Sequence, residues 1–336
     1  MKRFILLVTV VLIVAIVFAQ DEKRNFKIVS YNVENYFDTE DNPDTNDEEF
    51  LPGGMRGWNN VKYAQKQSNI AKTLVAIGGW EAPAVVGLCE IESEKAMRDL
   101  TRYSTLKNLD YKYIHHESPD ARGIDVALMY QPHRFKPFYD EAIPIKAFKT
   151  RDILYVAGTI AATNDTLHLF VCHFPSRLGG ELESEERRVT VASRLREKVD
   201  SIFHATSTAN IVIMGDFNDH PSNSSILNTL DANPLNEGFE NDKLYNLAFL
   251  PQEQGKGTHK HQGEWGMLDQ MIVSGNLLNA TSGVSTTVND FHVFEADFLL
   301  EDDKAFLGKM PKRTYIGMKF NGGFSDHLPI VLDLWY

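Results

Sequence analysis

The sequence predicts a mixed α/β fold built as one domain. Continuous apolar runs of strand length alternate with stretches whose apolar residues recur every three to four positions, the patterns of buried strands and of helices with one covered face. A chain of 336 residues with 43% hydrophobic content can bury a large core, and no linker, internal repeat or low-complexity tract divides it.

KIVSYNV (27–33) reads as the first strand, and residues 61–79 have helical spacing. AVVGLCEIE (84–92) is a buried strand and 93–103 a second helix. YKYIHHE (111–117) and GIDVALMYQP (123–132) are strands, and residues 153–174 form a hairpin-like pair turning at Thr163, Asn164 and Asp165. A helix over 184–205 follows, and its mixed charges read as a solvated face. NIVIMGDFN (210–218), MLDQMIVS (267–274) and HLPIVLDLWY (327–336) complete the strands. The acidic stretch 39–54, with its Pro and Gly residues, reads as a long surface loop near the mouth of the site.

Acidic and amide residues end these runs: Asn32, Glu90, Asp216 with Asn218, Asp269, and the Asp326-His327 pair. Polar residues that close buried strands converge on one rim of a sheet, so the set points to a hard-metal phosphate site. An unpaired carboxylate such as Glu90 in an apolar setting is costly, and a hard cation relieves that cost. Asp216 and Asn218 are spaced to share one strand face.

The segments YNVENYFDT, RGIDVALMY, PSRLGGELES, GDFND, GEWGMLDQ and SDHLP resemble, in that order, the endonuclease/exonuclease/phosphatase superfamily, DNase I-like metal-dependent phosphoesterases. The resemblance spans about residues 26 to 336 and is strongest to a secreted bacterial branch. It implies a four-layer sandwich, with two mixed β-sheets face to face and helices outside, and one or two Mg²⁺ or Mn²⁺ ions. It further implies that Glu90 ligates metal, joined by Asn32 and Asp269 as ligands or orienting groups. Asp216 would activate water, and Asn218 would position it or ligate a second metal. His327 would contact the scissile phosphate or act as base, with Asp326 fixing its tautomer. His173 and Arg177 would bind phosphate oxygens, as would Arg122, with Asp125 orienting Arg122 or ending a turn. His259 departs from the pattern, which places an aromatic after Gly-Thr, and Trp265 packs beside the site or in the core.

Lys2 and Arg3 precede an apolar run from Phe4 to Phe18, and Val17-Phe18-Ala19 offers small residues for cleavage after Ala19. The reading is a removed signal peptide over 1–19, a domain over 20–336, and a secreted or periplasmic monomer with no membrane span. Loss of Lys2 and Arg3 takes the formal charge from −12 to −14, unlike a protein that grips nucleic acid by a basic surface. Cys89 and Cys172 are expected as free buried thiols. The segment 291–310 is rich in aromatics and leucines, and its acids favour packing on the body over contact with anionic lipid.

Hydrolysis of a phosphodiester, extracellular nucleic acid included, leads the readings. The alternatives are a phosphomonoesterase, a sphingomyelinase-like lipid phosphodiesterase, and an inactive binding module; the last conflicts with the presence of every ionisable group named above.

Overall fold

Two mixed sheets lie face to face, as expected, in the computed structural model, which describes residues 24–235 and 238–336. The predicted signal peptide lies outside the described residues. In chain order the sheet strands are β1 (Asn25–Tyr36), β2 (Val85–Ile91), β3 (Lys112–His115), β4 (Asp125–Tyr130), β5 (Phe135–Ile143), β6 (Ile153–Ile160) and β7 (Thr166–His173). They continue with β8 (Asn210–Asp216), β9 (Ala232–Asn233), β10 (Leu244–Asn246), β11 (Asp269–Ser274), β12 (Phe291–Val293) and β13 (Ile330–Trp335). One sheet has the order β12-β13-β1-β2-β4-β3 and the other β5-β6-β7-β8-β11-β10-β9.

Strand alternation sorts the side chains into layers. Phe26, Ile28, Val85 and Leu128 of the first sheet point inward to meet Val171, Val212 and Met214 of the second. Val29, Tyr31, Val86 and Leu88 point outward beneath helices α1 (Asn60–Gly78) and α2 (Glu94–Tyr103). Phe170, Ile211 and Ile213 lie beneath α3 (Glu181–Ala205), which supplies Val191, Leu195 and Val199. The result is helix, sheet, sheet, helix. Helices α1 and α3 are the crossovers of the parallel pairs β1–β2 and β7–β8, so the C-terminal ends of each pair share a rim.

Local chemistry sets the helix starts. The Asn59 side chain accepts from the N–H groups of Val61 and Lys62, both at 3.1 Å, and Ser93 accepts from Ala96 N at 3.1 Å. The third helix begins at Glu181, ahead of the expected Ser184, because Gly180 takes a φ of 128° that suits glycine and Glu181 and Glu183 favour the first turn. Strand β5 escapes sequence reading because it is mostly solvent-facing, carries Pro137, and bulges between Pro137 and Tyr139 at the sheet edge.

Both cysteines are free and buried, and Cys89 Sγ donates to the Cys172 carbonyl at 3.3 Å across the sandwich. Phe291, Val293 and Leu299 of the 291–310 segment join the inter-sheet core, whereas Leu307 at its tip is exposed. The 39–54 loop is pinned by Phe50 stacked on Phe37, with ring centroids 4.2 Å apart. Among the described residues no helix is long and apolar enough to cross a membrane.

Gly215, just before Asp216, has a φ of 145°, and a Cβ there would fall 1.9 Å from the Cys172 carbonyl oxygen. The substitution Gly215→Ala is expected to destabilise the fold by at least ~2 kcal/mol, read as a lower urea midpoint at unchanged slope.

Candidate active site

One row of residues crosses three adjacent strands of the second sheet. In register, His173 at the end of β7 sits beside Asp216 at the end of β8, and Asp216 sits beside Asp269 at the start of β11. All three are buried. From the first sheet, Asn32 Nδ2 donates to Asp216 Oδ2 at 3.0 Å while its Oδ1 accepts from Glu34 N at 3.0 Å. The Asn218 backbone N–H holds the other Asp216 oxygen at 2.9 Å, and its Nδ2 reaches Oδ2 at 3.3 Å.

Kinks in the backbone aim the remaining groups. Glu34, Asn35, Glu90 and Asn218 all have positive φ, between 50° and 66°, a conformation that costs a non-glycine residue about 1 kcal/mol or more. In regular alternation Glu90 would join Leu88 under the helices. Instead β2 slips register between Cys89 and Ile91, and Glu90 turns to the rim, where Oε2 accepts from Asn35 N at 2.7 Å and Oε1 lies 3.9 Å from His173 Nε2.

His327 completes the centre. Its Nδ1–H donates to Asp269 Oδ2 at 2.6 Å, which aims Nε2 toward Asp216 Oδ2, 3.8 Å away. Its backbone N–H donates to Ser325 Oγ, which in turn donates to the Asn32 carbonyl. Burial opposes a charge on His327, but the carboxylates of Asp269 and Asp216 outweigh it and hold the ring well above its ordinary range. Burial pushes Asp216 up to about 7, with His327 pulling the other way. Burial, with Arg151 and Arg122 nearby, holds His173 well below its ordinary range. The electrostatics therefore favour a charged His327 and uncharged His173 and His259 rings around Asp216.

Three expected roles change. Asp326 does not fix the His327 tautomer: Asp269 does, from the neighbouring sheet, while Asp326 accepts from Arg313 Nη2 at 2.7 Å. Arg177 has no free fork for phosphate, because its guanidinium bonds the Asn218 carbonyl, Glu181, Asp219 and Asn223. Asp125 does not orient Arg122; it accepts from Ser118 N at 2.9 Å and faces His115 at 3.2 Å. Arg122 stands half-exposed at the rim, 3.9 Å from Asp120. His259 belongs to the site, with its ring 4.8 Å from that of His327, and Trp265, for which site and core were alternatives, packs on the core with one side and with the other lines a cleft of about 580 Å³ beside Arg177, Asn218 and His259.

Sequence reading missed Glu34 and Arg313. Glu34 is buried, accepts from Thr314 N at 2.6 Å, and is pushed up to about 7 by burial and Asp326. Its spacing of two from Asn32 was the available signal.

A sequence family matches this arrangement: the Endonuclease/Exonuclease/phosphatase family fits residues 27–335. The chain belongs to the endonuclease/exonuclease/phosphatase family. No curated protein sequence matches it. Solved structures share the DNase I-like fold at low identity. A humanised zebrafish (D. rerio) TDP2 is 16% identical, with TM-score 0.56 and coverage of 92% of this chain and 98% of that one. A mannosyl-6-phosphatase from Bacteroides thetaiotaomicron is 15% identical, with TM-score 0.57 and coverage of 93% and 100%. The human Nocturnin catalytic domain, solved with a sulfate anion, is 13% identical, with TM-score 0.56 and coverage of 94% and 98%. Membership in the endonuclease/exonuclease/phosphatase family places the chain among phosphoester hydrolases.

The donor set of this family member fits a hard divalent cation. Carboxylates predominate at the rim, in Glu34, Glu90, Asp216, Asp269 and Asp326, and Asp269 Oδ1 is buried without a hydrogen-bond partner among the described residues.

His327 is raised relative to an unfolded histidine, so its pairing with Asp269 stabilises the fold fully below about pH 6.5 and fades as pH climbs through the folded value. Asp269→Asn is expected to lower the pH at which His327 loses its proton in an NMR titration. An unchanged titration would contradict the pairing.

Proposed function

We propose that this chain is an exported, divalent-metal-dependent phosphoesterase that hydrolyses phosphodiesters by direct attack of water. The observation that carries the reading is the geometry at Asp216: a buried carboxylate oriented by Asn32 and Asn218, with His327 Nε2 3.8 Å and His173 Nε2 3.6 Å away. A carboxylate so oriented is suited to take a proton from water. His327 Nε2–H, aimed by Asp269, would donate to a phosphate oxygen as negative charge grows on it. Neutral His173 Nε2 lies 3.6 Å from Asp216 Oδ2 and can hold the water on the same side.

Glu90, Asn32 and Asp269 would hold Mg²⁺ or Mn²⁺, which when bound would supply positive charge against the phosphate oxygens, while Glu34 and Asp326 pair with Arg313. Arg122, at the rim, is the expected outer phosphate contact. On this reading water attacks phosphorus directly, without a covalent enzyme intermediate.

The formal charge of −12 favours a second reading, a phosphomonoesterase acting on a small substrate, because a polyanion is repelled by an acidic surface. The deciding assay sets plasmid DNA, bis(p-nitrophenyl) phosphate and p-nitrophenyl phosphate side by side, with and without EDTA. EDTA-sensitive cleavage of the first two is expected; release from the monoester alone would select the second reading. Glu90→Ala and His327→Ala should each lower turnover by about 10³-fold or more, Glu90→Ala with the melting transition retained and His327→Ala with a lowered one because Asp269 loses its partner, and full activity in either would refute the site. Sequencing of exported protein should begin at Gln20.

A further inference from the structure

We propose that Arg313 is the arginine that binds the substrate phosphate at this site, the role that the family resemblance implies for Arg177. The inference rests on the phosphoesterase reading of the same site. Arg177 keeps no free pair of N–H groups, because its guanidinium makes four bonds, to Asn218, Glu181, Asp219 and Asn223. Arg313 is placed differently. Its Nη2 donates to Asp326 Oδ2 at 2.7 Å and its Nε faces Glu34 Oε1 at 3.4 Å, so one edge of the guanidinium plane is held by two carboxylates. Among the described residues Nη1 has no hydrogen-bond partner, and the side chain is 38% exposed.

The backbone that carries Arg313 is bolted to the body of the fold. Thr314 N donates to Glu34 Oε2 at 2.6 Å, and the fully buried Lys66 donates to both Thr314 Oγ1 and the Phe324 carbonyl at 2.6 Å. A solvent-exposed ion pair needs no such support and contributes little to stability. Here a planar cation is held rigid on its inner edge and open on its outer edge, one carboxylate away from His327: an Asp326 oxygen lies within 4.8 Å of His327 and His259 ring nitrogens. An arginine fixed in this way can fork two N–H groups to phosphate oxygens without reorganising. The ligand class is a phosphate oxyanion.

The test compares Arg313→Ala and Arg313→Lys with wild type by calorimetric binding of inorganic phosphate and by kcat and KM on bis(p-nitrophenyl) phosphate. Loss of a charged, forked hydrogen bond should weaken phosphate binding and lower kcat/KM by about 10- to 100-fold. Lysine, which can pair with Glu34 and Asp326 but cannot present a second edge, should recover only part, and added guanidinium ion should raise the rate of Arg313→Ala. Phosphate affinity equal to wild type in either variant would show that Arg313 serves only as a counter-ion to Glu34 and Asp326, and would overturn the proposal; if alanine prevents folding, the lysine variant decides. Phosphate binding separates this inference from the parent reading: a wild-type protein that binds phosphate through Arg313 but hydrolyses no ester would overturn the enzyme assignment and leave the arginine assignment standing.

Discussion

Asp216 and Asp269 lie side by side in a desolvated row, and two adjacent buried carboxylates are tolerable only if a cation or a proton joins them. His327 is the internal answer. It bonds Asp269 and faces Asp216, and its own position is held by Ser325 and the Asn32 carbonyl. The pair of sheets is therefore joined at the rim by charge as well as by the apolar layer below it.

The same requirement explains why the rim is irregular. Straight strands would send Glu90 to the helix-covered face and leave Asp216 with fewer donors. Left-handed residues at Glu34, Asn35, Glu90 and Asn218 redirect side chains and backbone N–H groups toward the carboxylates. Such conformations persist where the surrounding bonds over-determine them. Each of these four residues makes or receives a bond in the cluster, so the strain and the site are one feature.

Cations divide into two kinds around this cluster. Arg151 and Arg177 are structural: Arg151 bonds Asp120 and the carbonyls of His173 and Phe174, and Arg177 ties together the loop that follows β8. Arg122 and Arg313 keep part of the guanidinium open at the rim. Composition alone does not separate these kinds, because the difference lies in which carbonyls and carboxylates the fold brings within 3.5 Å.

The buried strands, the three long helices and most of the candidate site residues were legible in the sequence, while the edge strand β5 and the short strands β9, β10 and β12 were not, since only buried strands announce themselves as apolar runs and a polar residue that ends such a run has few places to point. That logic reached Asn32, Glu90, Asp216, Asn218, Asp269 and His327, and the family resemblance supplied the two-sheet sandwich. It did not reach the partner of His327, because Asp326 is adjacent in sequence but Asp269, 58 residues away, is the one whose carboxylate bonds the ring. Nor did it reach Arg313, whose pairing with Glu34 spans 279 positions. Local pattern determines which residues form strands and which face they occupy; only the tertiary structure decides which charges meet, because hydrogen bonds are selected by distances that two sheets set when they pack together.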